Sequence, residues 1–223
     1  MSDGWTRAEV ARRVDHTILR PEATRAQVEA VAVEAVELGC ASVCVQPAMV
    51  HFVRGVVGDR LPVCSVVGFP HGASPARITA GEAAAVVAWG ASEVDLVADL
   101  GALADDDLPT VAAGVAEVRA AVPDVVLKVI LESALWSPVV LRTACEAVVD
   151  AGADFVKTST GFHPAGGATV DAVTTMRAAV GTRARVKASG GIRTAGDALA
   201  MLDAGAERLG LSATAAVVAG VPA

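Results

Sequence analysis

One phrase occurs four times along this 223-residue chain: an apolar helical end, a glycine, a small residue, then a β-rich run. It reads Val36-Glu37-Leu38-Gly39-Cys40 before SVCV, and Val87-Ala88-Trp89-Gly90-Ala91 before EVDLV. It returns as Val149-Asp150-Ala151-Gly152-Ala153 before DFVKTS, and as Leu202-Asp203-Ala204-Gly205-Ala206 before ERLGLS. Physically this is a helix stopped by a left-handed glycine and turning at once into a buried strand. The glycines stand 51, 62 and 53 residues apart. Each interval is too long for one βα unit and about right for two.

The interleaved strands are present at Val14–Leu19, Pro62–Phe69, Val125–Glu132 and Ala184–Ser189. Helical patterns follow the eight strands over 24–38, 47–57, 75–89, 107–121, 138–151, 169–180, 194–204 and 212–219. Strands apolar on both faces suit a parallel sheet covered by helices. Eight βα units in a chain of this length predict an α/β fold, a single-domain (β/α)8 TIM barrel over residues 1–223. The competing open doubly wound sheet lacks its usual mark, a GxGxxG turn after the first strand.

Cation usage narrows the chemistry. Of 18 Lys and Arg residues only three are lysine: Lys128, Lys157 and Lys187. They fall in the expected strands 5, 6 and 7. Strands of five or six residues make up roughly a fifth of such a chain, so this placement by chance is on the order of one in a hundred. By alternation Lys128 shares a face with Ile130 and Glu132, Lys157 with Phe155 and Ser159, and Lys187 with Arg185 and Ser189. Such faces point toward the mouth where barrel active sites lie.

Three crowded ammonium groups are expected to have lowered pKa values through desolvation and mutual repulsion. An amine shifted to about 7–8 can attack a carbonyl and form a Schiff base. The blander reading is a buried ion pair between one or more of the lysines and Asp95 or Glu132. Asp95, in the strand EVDLV, is the natural carboxylate partner, either as a proton relay or as a plain counter-ion. Asp99 shares its face nearer the mouth and could merely cap the following loop.

Gly190-Gly191-Ile192-Arg193-Thr194 after strand 7, Gly210-Leu211-Ser212-Ala213-Thr214 after strand 8 and Gly166-Gly167 after strand 6 suggest phosphate. Helix N-termini after strands 7 and 8 are the habitual anion site of this fold. The alternative is a set of tight turns that need glycine for geometry alone.

Several classes are excluded. A net charge of −7 with pI near 5.1 argues against nucleic acid or an anionic membrane as partner. No apolar run approaches a membrane span, and the polar start Met1–Arg7 has no apolar signal core. Cys40, Cys44, Cys64 and Cys145 sit in apolar segments without CxxC spacing, as reduced core residues of a cytoplasmic protein would. His16, His51, His71 and His163 show no ligand spacing, so no metal is expected. His16, His71 and His163 follow strands and read as loop histidines that hydrogen-bond substrate or backbone.

The blocks VDHTILRP, SVCVQP, VVGFPHGA, EVDLV, LKVILES, FVKTSTGF, VKASGGIR and GA-RLGLS, in this order, resemble the deoxyribose-phosphate aldolase family from about residue 14 to 215. The resemblance implies a class I aldolase that needs no metal or other cofactor. Its reaction would reversibly cleave 2-deoxy-D-ribose 5-phosphate to acetaldehyde and D-glyceraldehyde 3-phosphate.

On the family pattern Lys157 forms the Schiff base, Lys187 lowers its pKa and assists proton transfer, and Asp95 relays protons. Lys128 would line the substrate pocket. Asp15, Cys44, Thr158, Thr160, Gly190, Gly191, Gly210 and Ser212 would bind substrate. Family members often form dimers, which implies a homo-oligomer.

The chain departs from the pattern at Gln46 and Asp99, each in place of a usual Asn, and has no Tyr at all. Leu211 removes a hydroxyl and Thr214 replaces a glycine, and both changes bear on phosphate affinity. Two alternatives stand beside this reading: a Schiff-base barrel aldolase with another aldehyde pair, and a non-catalytic sugar-phosphate binder.

Overall fold

A computed structural model describes residues 4–222. Met1, Ser2 and Asp3, which open the polar N-terminal stretch, lie outside the described residues, as does Ala223. The eight strands are β1 (Val14–Ile18), β2 (Ser42–Val45), β3 (Val63–Val67), β4 (Glu93–Val97), β5 (Val126–Ile130), β6 (Phe155–Lys157), β7 (Arg185–Ser189) and β8 (Arg208–Leu211). They close a barrel in sequence order, every neighbouring pair parallel, with β1 beside β8.

The eight covering helices match the expected patterns to within a residue or two. They are α2 (Arg25–Glu37), α3 (Val50–Val57), α4 (Ala76–Ala88), α6 (Leu108–Ala121), α7 (Pro138–Asp150), α8 (Val170–Val180), α9 (Ala195–Asp203) and α10 (Thr214–Ala219). The first turn expected of α3 is a 3-10 turn, Pro47–Met49. Two short helices went unpredicted. α1 (Arg7–Ala11) starts at a Thr6/Glu9 capping box and buries Val10 and Ala11. α5 (Leu100–Ala104) starts at Asp99, whose side chain accepts from the Ala102 amide. Asp99 is therefore the cap that the blander reading allowed.

The repeated glycines do two jobs. Gly39, Gly90, Gly152 and Gly205 all have positive φ, between 67° and 110°, just past a helix end. At Gly90 and Gly205 a Cβ would come within 2.7 Å of the Arg54 and Arg177 stems, which lie across the turn. Those arginines then tie the turns together, as Arg177 does through Glu207 at 2.6 Å and the Ala184 carbonyl at 2.9 Å.

Outside the barrel, Val, Ala and Leu of strands and helices form one continuous core. Each buried Leu or Val there contributes about 1.5–3 kcal/mol of transfer free energy. Inside the barrel the apolar filling is small: Leu19, Cys44, Cys64 and Val66, with Phe69 against them. Charged side chains fill much of the rest, among them Asp15, Glu93, Asp95, Lys128, Lys157 and Lys187, beside neutral Phe155, Ile130 and Ser42.

Candidate active site

Strand register sets which charges meet. Asp95 pairs with Lys128 across β4 and β5, and Lys157 with Lys187 across β6 and β7. Asp95 is fully buried at the centre. Its Oδ2 accepts from Lys157 Nζ at 2.7 Å and Lys187 Nζ at 2.6 Å. Its Oδ1 accepts from Lys128 Nζ at 2.8 Å and from the Cys64 thiol at 3.2 Å. Lys128 also meets Glu93 at 2.7 Å and Asp15 at 3.6 Å. Lys187 and Arg208 both donate to Asp15, which Ser42 also donates to at 2.7 Å.

This arrangement corrects the expectation of depressed lysines. Burial does disfavour the ammonium forms, but at Lys128 the pull of Asp95, Asp15 and Glu93 outweighs it and raises the pKa. At Lys187 Asp15 and Asp95 do the same. Burial likewise disfavours the carboxylates of Asp15 and Asp95, yet the surrounding cations hold both below the usual range. Lys128 and Lys187 are therefore committed cations, the ion-pair reading having prevailed over repulsion for these two. Glu132 is not their partner. It adopts left-handed backbone at φ 52°, buried, and accepts from the Thr160 hydroxyl at 2.6 Å.

A cavity of about 450 Å³ opens at the C-terminal mouth. Of the expected residues Lys157, Thr160, Gly190, Gly191, Gly210 and Ser212 line it. Lys128, Lys187, Asp95, Asp15 and Cys44 lie buried beneath its floor. Thr158 turns between β6 and β7, where its hydroxyl donates to the Ser189 carbonyl at 3.1 Å and accepts from that residue's amide at 3.0 Å. Lys157 is the one lysine on the cavity wall. It is also the least paired: it meets one carboxylate, against two for Lys187 and three for Lys128.

Sequence reasoning missed Arg20, which lines the mouth from the loop after β1, as Arg193 does from the loop after β7. Its place just past a barrel strand was the available signal.

The glycine loops divide differently from the expectation. Gly167 is packed on Gly190, with only 2.2 Å between its missing Cβ and the Gly190 carbonyl, so Gly166-Gly167 is a close-approach turn rather than an anion site. The α9 N-terminus is closed too, because the Arg193 and Thr194 amides donate to Asp197 at 3.0 and 2.9 Å. Of the glycine-loop residues, Gly190, Gly191, Gly210 and Ser212 remain on the cavity wall, which Arg20 and Arg193 also line. Gly210 must stay small, since a Cβ there would lie 2.9 Å from that of Ser189 and 3.4 Å from Lys187 Cε.

His16 corrects another expectation. It lies within β1 and is buried, bridging Glu34 at 2.6 Å and the Thr214 hydroxyl at 2.8 Å. Thr214 is thus turned away from the cavity, and Leu211 is packed in the outer core at 1% exposure. Neither side chain reaches a ligand in the cavity. Leu211→Thr is expected to leave the Michaelis constant of a phosphorylated substrate unchanged and to lower unfolding stability by about 2 kcal/mol, read by urea denaturation.

The atoms best placed to hold a metal are Cys44, Cys64 and Asp95, or Asp15, Cys64 and Glu93. The Lys128 ammonium already lies against Cys64, Asp95 and Glu93, at 3.3, 2.8 and 2.7 Å. A second cation there would meet like charge. All four cysteines are free and buried, as expected. Among the described residues no helix is long and apolar enough to cross a membrane.

The chain matches a profile of the DeoC/LacD family aldolases over residues 10–221. It is 58% identical over 221 residues to the deoxyribose-phosphate aldolase of Mycobacterium avium strain 104, covering 97% of this chain and 98% of that protein. With the deoxyribose-phosphate aldolase of Mycobacterium tuberculosis strain H37Rv the identity is 55% over 220 residues, covering 97% of each. Among solved structures it resembles the tetrameric deoxyribose phosphate aldolase of Aeropyrum pernix, with a TM-score of 0.89 and 33% identity. That likeness covers 96% of this chain and 91% of the other.

Proposed function

We propose that this chain, which belongs to the DeoC/LacD family of aldolases, is a deoxyribose-phosphate aldolase whose Schiff base forms on Lys157. The observation that carries the assignment is the position of the Lys157 amine. It alone of the three reaches the cavity, and it is held by the fewest carboxylates. As a neutral amine Lys157 attacks C1 of open-chain 2-deoxyribose 5-phosphate, and loss of water from the carbinolamine gives a protonated imine. The C2–C3 bond then breaks as the C3 hydroxyl gives up its proton. The electron pair flows into the imine as an enamine, and glyceraldehyde 3-phosphate leaves. Protonation of the enamine at C2 and hydrolysis release acetaldehyde and restore the amine.

Asp95 and Lys187 serve the proton steps. One oxygen, Asp95 Oδ2, accepts from both Lys157 and Lys187, so Asp95 can exchange a proton with Lys157 and the reacting groups while the Lys187 ammonium steadies its charge. Lys128, Asp15 and Cys44 act from beneath the floor as the charged and packed bed of this pair. Thr158 and Thr160 fix the β6 exit, and Gly190, Gly191, Gly210 and Ser212 receive the phosphate. No metal or other cofactor is required by these steps.

Borohydride trapping with acetaldehyde or deoxyribose 5-phosphate tests the assignment. Peptide mass mapping should find the reduced adduct on Lys157, and an unmodified Lys157 would sink it. We place the protein in the cytoplasm as a homo-oligomer. The expected dimer has a rival in the tetramer of the Aeropyrum pernix relative, and the mass in solution distinguishes them.

A further inference from the structure

We infer that Arg208, which does not line the cavity, sets the pH range in which Lys157 can form an imine by holding the buried charge cluster one cation in excess. The inference rests on Lys157 being the imine-forming residue. Arg208 extends inward from β8, with its side chain 13% exposed. Its guanidinium donates to Asp15 and to Glu93, the latter at 3.3 Å, and lies 5.5 Å from the centre of the Phe155 ring. A guanidinium does not give up its proton in a protein.

The charges around Lys157 come from five of the other strands, Arg208 on β8 among them. β4 brings Asp95 and, one step lower, Glu93; β1 brings Asp15; β5 and β7 bring Lys128 and Lys187. β2 and β3 bring two thiols: Cys64 is pushed up by burial and donates to Asp95, while the hydrogen bond from Cys64 draws the Cys44 thiol down. Arg20, Arg193 and Arg185 are exposed, Arg185 being stacked on Phe155, and water screens them.

The dry cluster therefore holds four cations, Lys128, Lys157, Lys187 and Arg208, against three carboxylates, Asp15, Glu93 and Asp95. An uncompensated buried charge is unfavourable. An amine that sheds its charge relieves it, and the one with a single carboxylate partner and a place on the cavity wall is Lys157. Arg208 is thus a positioning residue for charge, acting through Asp15 and Glu93 and not on the substrate. Without it the cluster would balance with all three lysines protonated.

The test is the pH dependence of the initial rate of acetaldehyde trapping on Lys157 in the full-length protein. Arg208→Met should move the acidic limb of that profile up by about one pH unit, and Arg208→Lys should leave it in place. Glu93→Gln raises the excess to two and should move the limb down. The double variant Arg208→Met/Glu93→Gln restores the excess of one and should bring the limb back. If Arg208→Met does not fold, Glu93→Gln and the double variant decide the question. A limb that stays at the wild-type pH in the folded single variants overturns the inference, as does movement of both in the same direction. A wild-type adduct on Lys157 with an immobile limb defeats the role of Arg208 alone. A wild-type protein with no adduct on Lys157 defeats the aldolase assignment as well.

Discussion

Lys157→Arg is expected to abolish aldol turnover, by about four orders of magnitude or more, and to eliminate borohydride trapping. The substitution preserves positive charge and can still place a guanidinium near Asp95, so the buried ion pairs need not collapse. What it removes is the ability to become a neutral amine, since a guanidinium keeps its proton at any usable pH. The open cavity above Lys157 leaves room for the larger head group. Unfolding midpoints should accordingly stay close to wild type while activity disappears. If turnover persisted, the nucleophile would be Lys187 or Lys128, both of which lie under the floor and are held as cations.

Which lysine reaches the cavity was beyond the sequence for a definite reason. All three occupy inward positions, and alternation treats them alike. Access depends on where each strand ends relative to its neighbours. β6 stops at Lys157, whereas β7 continues past Lys187 through Ala188 to Ser189. Lys128 pairs with Phe155, two residues short of Lys157, and is correspondingly deeper.

The repeat glycines and the helix caps were legible because turn geometry is local. The carboxylates between the lysines were not, since Asp15 and Glu93 meet them only after eight strands close. Counting lysines alone also hid Arg208, although its strand position carried the same signal as theirs. Leu211 misled by its motif. Its neighbour Gly210 faces the cavity, so simple alternation already turned Leu211 outward into the apolar layer.

Asp95→Asn should separate imine formation from turnover and should also produce a large loss of stability. The carboxylate holds three ammonium groups and a thiol with no water to replace it. An amide cannot accept from all of them and brings no charge, so unfolding stability at pH 7 should fall by about 3–5 kcal/mol. Loss of a negative charge leaves the cluster with more excess cation, which favours a neutral Lys157. Trapping with acetaldehyde should therefore survive, while the catalytic rate constant falls by roughly 10²–10⁴-fold for want of the shared proton acceptor.

The pH dependence has a definite sign. Asp95 is held below its ordinary value of 3.8 in the folded protein, the cations around it outweighing burial. Its stabilisation is thus fully present above that value and lost as pH falls through the lower, folded-state one. The gap between wild type and Asp95→Asn in urea unfolding should be widest from pH 5 upward and should narrow with acidification below 3.8. A gap that was constant with pH would mean that the variant had lost packing alone and that the Asp95 charge did not hold the lysine cluster together.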